Sequence, residues 1–205
     1  MREAELFGEN LTLQRKITTV YGENKIYLED TIANEGFSTE PMMLLYHINA
    51  GYPLLGEKSK IVLPTKKVTP RDGASAPHVG RWGSMDAPKD NEPESVFLHE
   101  MAADQEGNTF AAVLNGELGI GLKVEYNIQE LPYFMQWKSI ASGDYVVGLE
   151  PANSSVYGKP YHIKEGTLHK MEPLAVETKH ITLSFLSGGQ LGQIEQEAEN
   201  LCKGE

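Results

Sequence analysis

Cysteine is nearly absent from this 205-residue chain: the one Cys, at position 202, can neither pair within the chain nor build a thiolate metal site. A disulfide-stapled scaffold is excluded, and none is needed, because a chain of this size buries roughly 70% of its unfolded surface. Positive charge is scarce too. Lys and Arg total 18 against 29 Asp and Glu, a formal net charge of -11, the wrong sign for a surface that follows a phosphate backbone or an anionic bilayer. Neither nucleic acid nor membrane is an expected partner. No apolar run reaches the ~18–20 residues of a membrane-spanning helix, and the opening MREAELFGEN lacks the basic-then-apolar order of a secretion signal. The expectation is a cytoplasmic protein with a single domain over residues 1–205.

The apolar residues fall in short runs of period two, separated by Gly, Asn, Asp and Pro. This predicts an all-β, antiparallel chain with strands at Leu11–Val20, Lys25–Ala33, Met42–Asn49, Ser95–Ala102, Thr109–Leu114, Gly119–Asn127, Tyr133–Ile140, Tyr145–Glu150 and His180–Leu186. Turns at Tyr21–Asn24, Asp104–Asn108 and Asn115–Glu117 supply residues that tolerate positive φ. Between Pro64 and Pro93 no period survives. That stretch reads as one long ordered loop carrying Arg71, His78, Arg81 and Trp82. At the end of the chain, Leu191, Ile194, Ala198 and Leu201 recur at helical spacing before Gly204, which predicts a short helix covering a sheet edge or face.

Three strands carry polar groups that need explaining. In Met42–Asn49, alternation places Met43, Leu45, His47 and Asn49 on one face, and both faces read as buried. His47 is then either a satisfied core histidine or a cavity group near the rim that Gly51-Tyr52-Pro53 creates. In Tyr145–Glu150, Glu150 shares a face with Gly148, which leaves room for something to approach the sheet; the alternative is a structural pairing with Lys138. His99 shares a face with Phe97, as a second polar contact in that cavity or as an ordinary strand-end residue. Trp137 is either core or a stacking platform, since the C–H face of a pyranose packs on aromatic rings while its hydroxyls need donors and acceptors. No dinucleotide fingerprint, Walker A sequence, nucleophile elbow or paired-Cys zinc pattern is present, and the histidines have no ligand spacing. No metal or organic cofactor is expected.

The segments Leu45–Leu55 (LYHINAGYPLL), Leu131–Lys138 (LPYFMQWK) and Tyr145–Asn153 (YVVGLEPAN) together resemble the aldose 1-epimerase, or galactose mutarotase-like, superfamily, and within it a bacterial aldose 1-epimerase-like branch. The resemblance implies a β-supersandwich of large antiparallel sheets with a sugar cleft on a concave face. It implies that His47 is the acid toward the ring oxygen and Glu150 the base toward the anomeric hydroxyl, with Asn49 matching the family's Asn; no position matches its substrate-binding Asp. Arg81, His99, Trp137 and Asn153 complete the expected substrate-binding set beside Asn49. Members of the branch are longer ahead of the point where this chain begins, so the sandwich is expected to be incomplete at the N-terminus. An exposed sheet edge would then invite a homodimer. The implied partner is a small sugar. The implied activity is acid–base interconversion of anomers, with a non-catalytic carbohydrate-binding module or truncated pseudoenzyme as the alternative.

Overall fold

The period-two runs do become strands, in a computed structural model that describes residues 1–204. Among the described residues, seven strands form one antiparallel sheet in the spatial order Arg2–Ala4, Asn10–Thr18, Lys25–Asn34, Val176–Ser187, Ile120–Asn127, Asn108–Asn115 and Lys60–Val62. Five more form a second sheet in the order Ile48–Ala50, Asp144–Ala152, Tyr133–Ala141, Ser95–Met101 and Thr65–Pro70. A two-residue ladder, Glu40–Pro41 with Lys170–Met171, lies outside both.

The two sheets stack through their apolar faces. Ala111, Val113, Val124, Tyr126 and Ile181 of the larger meet Phe134, Val147 and Leu149 of the smaller, all buried. At roughly 1.5–3 kcal/mol for each large side chain removed from water, this layer sets the register of both sheets, since a slip by one residue would turn every such group outward. The outer face of the larger sheet is covered by the helix Leu191–Lys203, whose Ile194 and Ala198 bury against Phe110, Ala112 and Leu186. Lys60–Glu195 and Lys123–Glu197 tie that helix to the sheet, each at 2.7 Å. The expected turn at Asp104–Asn108 forms around Gly107 at φ +88°, with Asp104 Oδ1 accepting from the backbone N–H groups of Glu106 and Asn108.

Several boundaries differ from the expectation. Met42–Asn49 is not one continuous strand: only Ile48–Ala50 joins a ladder, and the rest is held by an isolated bridge from Leu45 to Ala152 and by Tyr46 N–H donating to Pro151 O. Pro151 has no N–H to return, which breaks the reciprocal pairing there. The face bearing Met43, Leu45, His47 and Asn49 is exposed rather than buried. The long loop begins with the strand Thr65–Pro70 and contains a 3-10 turn at Ala76–Arg81. This strand edges the smaller sheet, and edge strands carry the Lys and Pro that erase an alternating pattern. The helix Lys159–Glu165 was also not anticipated from periodicity; at 7 residues it is too short to show one.

Candidate active site

The smaller sheet has one face against the core and one that is partly open. Register assigns its side chains. Asn49 stands opposite Gly148, Gly148 opposite Trp137, and Trp137 opposite Val96; in the next row Glu150 stands opposite Met135. All point to the open face.

There His47 Nε2 lies 3.1 Å from Glu150 Oε1. The His47 side chain is 43% exposed and that of Glu150 only 4%, so the carboxylate is the fixed partner and the imidazole the movable one. Gly148 makes the approach possible. A Cβ built there would sit 2.8 Å from His47 Cε1, 2.9 Å from Glu150 Oε1 and 3.3 Å from Trp137 Cβ. The room beside Glu150 is thus taken by His47 itself. Burial raises the Glu150 pKa, opposed by the charge of His47 and then reinforced by the neighbouring Glu94 carboxylate, with a smaller opposing effect from Arg71. A carboxylate held this way binds a proton more readily than a solvated one.

Trp137 meets the His47 ring edge-on, with centroids 5.5 Å apart. Its Nε1–H donates to Glu94 Oε2 at 2.7 Å, and Glu94 Oε1 accepts from Arg71 Nη2 at 3.1 Å. Arg71 Nε also donates to Asp72 Oδ2 at 2.7 Å, so the guanidinium is held between two carboxylates. Tyr157 reaches over from the segment that follows the sheet, its hydroxyl donating to Arg71 O at 3.3 Å. Arg71, Glu94 and Tyr157 were not among the expected site residues. For Glu94 a signal existed: extending the alternation of Ser95–Met101 back by one residue puts it on the face of Val96. Arg71 and Tyr157 arrive through loop geometry, which periodicity does not carry.

Three expected site residues need correction, and the alternative pairing of Glu150 with Lys138 does not form. His99 is on the opposite face, paired in register with Phe134 rather than Met135. It is buried, its Nε2 donates to Gln136 Oε1 at 3.2 Å and its Nδ1 lies 3.2 Å from Thr65 Oγ1, so it has no access to the open face. Burial lowers its pKa to about 4. Arg81 lies below the same inner face, where its carbonyl accepts from Lys138 Nζ at 3.0 Å and its guanidinium pairs with Asp86. Lys138 is thereby committed to the carbonyls of Arg81 and Ser84 and does not pair with Glu150. Asn153 is a buried clasp: its Oδ1 accepts from Leu44 N–H at 2.6 Å and its Nδ2 donates to Met42 O at 3.0 Å, which fixes the segment leading to His47. The structure therefore brings together His47, Asn49, Trp137 and Glu150, and places Arg81, His99 and Asn153 elsewhere.

Among the described residues, no three His, Cys, Asp or Glu side chains converge as metal ligands, and no helix is long and apolar enough to cross a membrane. The arrangement offers one proton donor–acceptor pair, one aromatic platform and a charged rim.

No curated protein matches this chain. Solved structures do. A candidate aldose 1-epimerase from Klebsiella pneumoniae superposes with a TM-score of 0.94 at 24% identity, over 98% of this chain and 53% of that one. A candidate aldose 1-epimerase from Escherichia coli K12 gives 0.55 at 14% identity, covering 91% of this chain and 68% of that one. A galactose mutarotase-like protein from Lactobacillus casei gives 0.55 at 15%, covering 86% and 64%. This chain spans about half the length of the Klebsiella structure. At these identities the likeness is one of fold: an antiparallel galactose mutarotase-like β-sandwich with a short C-terminal helix. By its match over residues 1–185, the chain belongs to the family described as Domain of unknown function (DUF4432).

Proposed function

We propose that this chain binds an aldose on the open face of the smaller sheet and interconverts its anomers by acid–base exchange between His47 and Glu150. The observation that carries this reading is the 3.1 Å contact between those two groups, delivered by segments far apart in the chain onto a partly open face where His47 reaches solvent and covers Glu150. The fold likeness to mutarotase-like proteins supports a sugar-directed role.

The chemistry suits the geometry. The ring oxygen and the anomeric hydroxyl are bonded to the same carbon, so an acid and a base serving them must lie close together. The His47 imidazolium gives its proton to the ring oxygen while the Glu150 carboxylate takes the anomeric hydroxyl proton. The C1–O5 pair leaves with the ring oxygen, and the O–H pair becomes the carbonyl π bond. After rotation about C1–C2 the hydroxyl attacks the other carbonyl face; Glu150 returns its proton and His47 recovers the one it gave. Trp137 would stack on the ring C–H face, while Glu94 and Asn49 would hold hydroxyls. The exposure of His47 favours a second reading, sugar binding without turnover, because an acid open to water is poorly oriented.

Exchange NMR between the α and β anomeric signals of glucose, galactose, mannose and fucose separates the two. Acceleration by the wild type that His47→Ala and Glu150→Gln each reduce at least ~100-fold, the usual worth of a general acid or base, supports the enzyme. No acceleration with any of the four sugars, alongside saturable binding, leaves only the binding reading.

A further inference from the structure

The open face does not end at the His47–Glu150 pair. Beyond Trp137 the same face continues with Ser139 opposite Val146 and then Ala141 opposite Asp144. These residues floor an open trough of about 580 Å³, walled on one side by Glu92 and Glu94 and bordered by Trp137. That volume falls within the roughly 300–1,000 Å³ of small-molecule sites.

We propose that this trough is a second sugar subsite, so that the ligand is a neutral saccharide of at least two residues whose reducing end reaches Glu150. The inference rests on the sugar-binding reading above and extends it to substrate class. Three observations favour it. Trp137 stands between the two positions, and its bond to Glu94 holds the indole in one orientation, as a platform shared by adjacent rings requires. The floor next to it is made of small side chains, Ser139 and Val146, so a ring can lie flat on the sheet. The lining carries three carboxylates, of which Glu92 is paired with Lys89 and Glu94 with Arg71 while Asp144 has no such partner among the described residues, so the trough bears a net negative charge without an unpaired cation in its lining. Carboxylates accept from sugar hydroxyls and repel phosphate or uronate groups.

Calorimetric titration tests this with matched probes: glucose against cellobiose, maltose and lactose, galactose against 1,4-β-galactobiose, and mannose against 1,4-β-mannobiose. At least one disaccharide should bind about tenfold more tightly than its reducing-end monosaccharide. Val146→Trp, which fills the floor, should bring that affinity ratio close to one. Asp144→Ala, on the exposed hairpin, should lower it severalfold even if the Trp variant does not fold. Monosaccharide binding with no tightening by any disaccharide overturns the subsite alone, as does a ratio that neither variant changes. Tightening without anomer exchange keeps the subsite and removes the isomerase. An absence of binding by every probe overturns the sugar reading and the subsite together.

Discussion

The two faces of the five-stranded sheet handle buried polarity in opposite ways. On the inner face, Gln136 donates to Trp82 O, Lys138 to the carbonyls of Arg81 and Ser84, and His99 is enclosed between Gln136 and Thr65. Gln136 and Lys138 are committed to backbone carbonyls and hold the loop from Arg81 to Ser84 against the sheet, while His99 is sealed between side chains of the two strands beside it. On the open face, His47 pairs with Glu150, and Trp137 and Arg71 both pair with Glu94. Those partners are side chains, and one of them, His47, is 43% exposed. A ligand can replace a side-chain partner without unmaking the fold, whereas it cannot replace a carbonyl that defines a loop. The same distinction separates Asn49, exposed beside Gly148, from Asn153, which is locked to Leu44 and Met42.

The largest effect that could break this comparison concerns His99. Its folded pKa is lowered to about 4 by burial, against about 6.5 for an unfolded His. The unfolded chain therefore takes up the proton first as pH falls. The stability that neutral His99 contributes is present above about pH 6.5 and is lost toward pH 4, with a total on the order of 3 kcal/mol. Urea unfolding of wild type and His99→Gln between pH 4.5 and 7.5 should show that difference in slope. Parallel curves would mean that His99 is not sealed on the inner face.

Next in size is Gly148→Ala. The added methyl meets His47 and Glu150 in the notch between them, and should displace the imidazole enough to cut anomer exchange about 100-fold, the scale of a 1 Å misplacement. The loss of stability should be about 1–3 kcal/mol, because the exposed imidazole can swing outward but the buried Glu150 carboxylate and the Trp137 Cβ must also give way. An unchanged exchange rate would show that the contact with Glu150 is not used. The smallest effect is expected from Trp137→Phe, which keeps a ring but frees Glu94. Sugar affinity should weaken severalfold, because the smaller ring offers less stacking area and Glu94 is no longer held beside it, with thermal stability little changed. Equal losses in affinity and stability would move Trp137 from platform to core.

Much of this was legible along the chain. The alternation in Tyr145–Glu150 put Gly148 and Glu150 on one face, and the register keeps them there. The 3.6-residue spacing of Leu191, Ile194, Ala198 and Leu201 yielded a helix whose apolar side does meet a sheet. What was misread shares a cause. Met43 and Leu45 are apolar yet exposed, because a period of two tells which residues go together and not which side faces the core. His99 was grouped with its own strand neighbours correctly, but the relation of that strand to the next, which decides whether His99 or Leu98 shares a face with Glu150, is a matter of register. Thr65–Pro70 was hidden because an edge strand has half of its hydrogen bonds unpaired and tolerates charge.

Local chemistry alone determined that this chain would make alternating strands, hairpin turns and one terminal helix, since those follow from side-chain size, backbone freedom and spacing within a few residues. Only the stacking of two sheets decided that His47 and Glu150 would touch, that Arg71 and Glu94 would border them, and that His99 would be sealed away. Those outcomes depend on contacts between residues far apart in the chain, and such contacts form only when the apolar faces pack in one register.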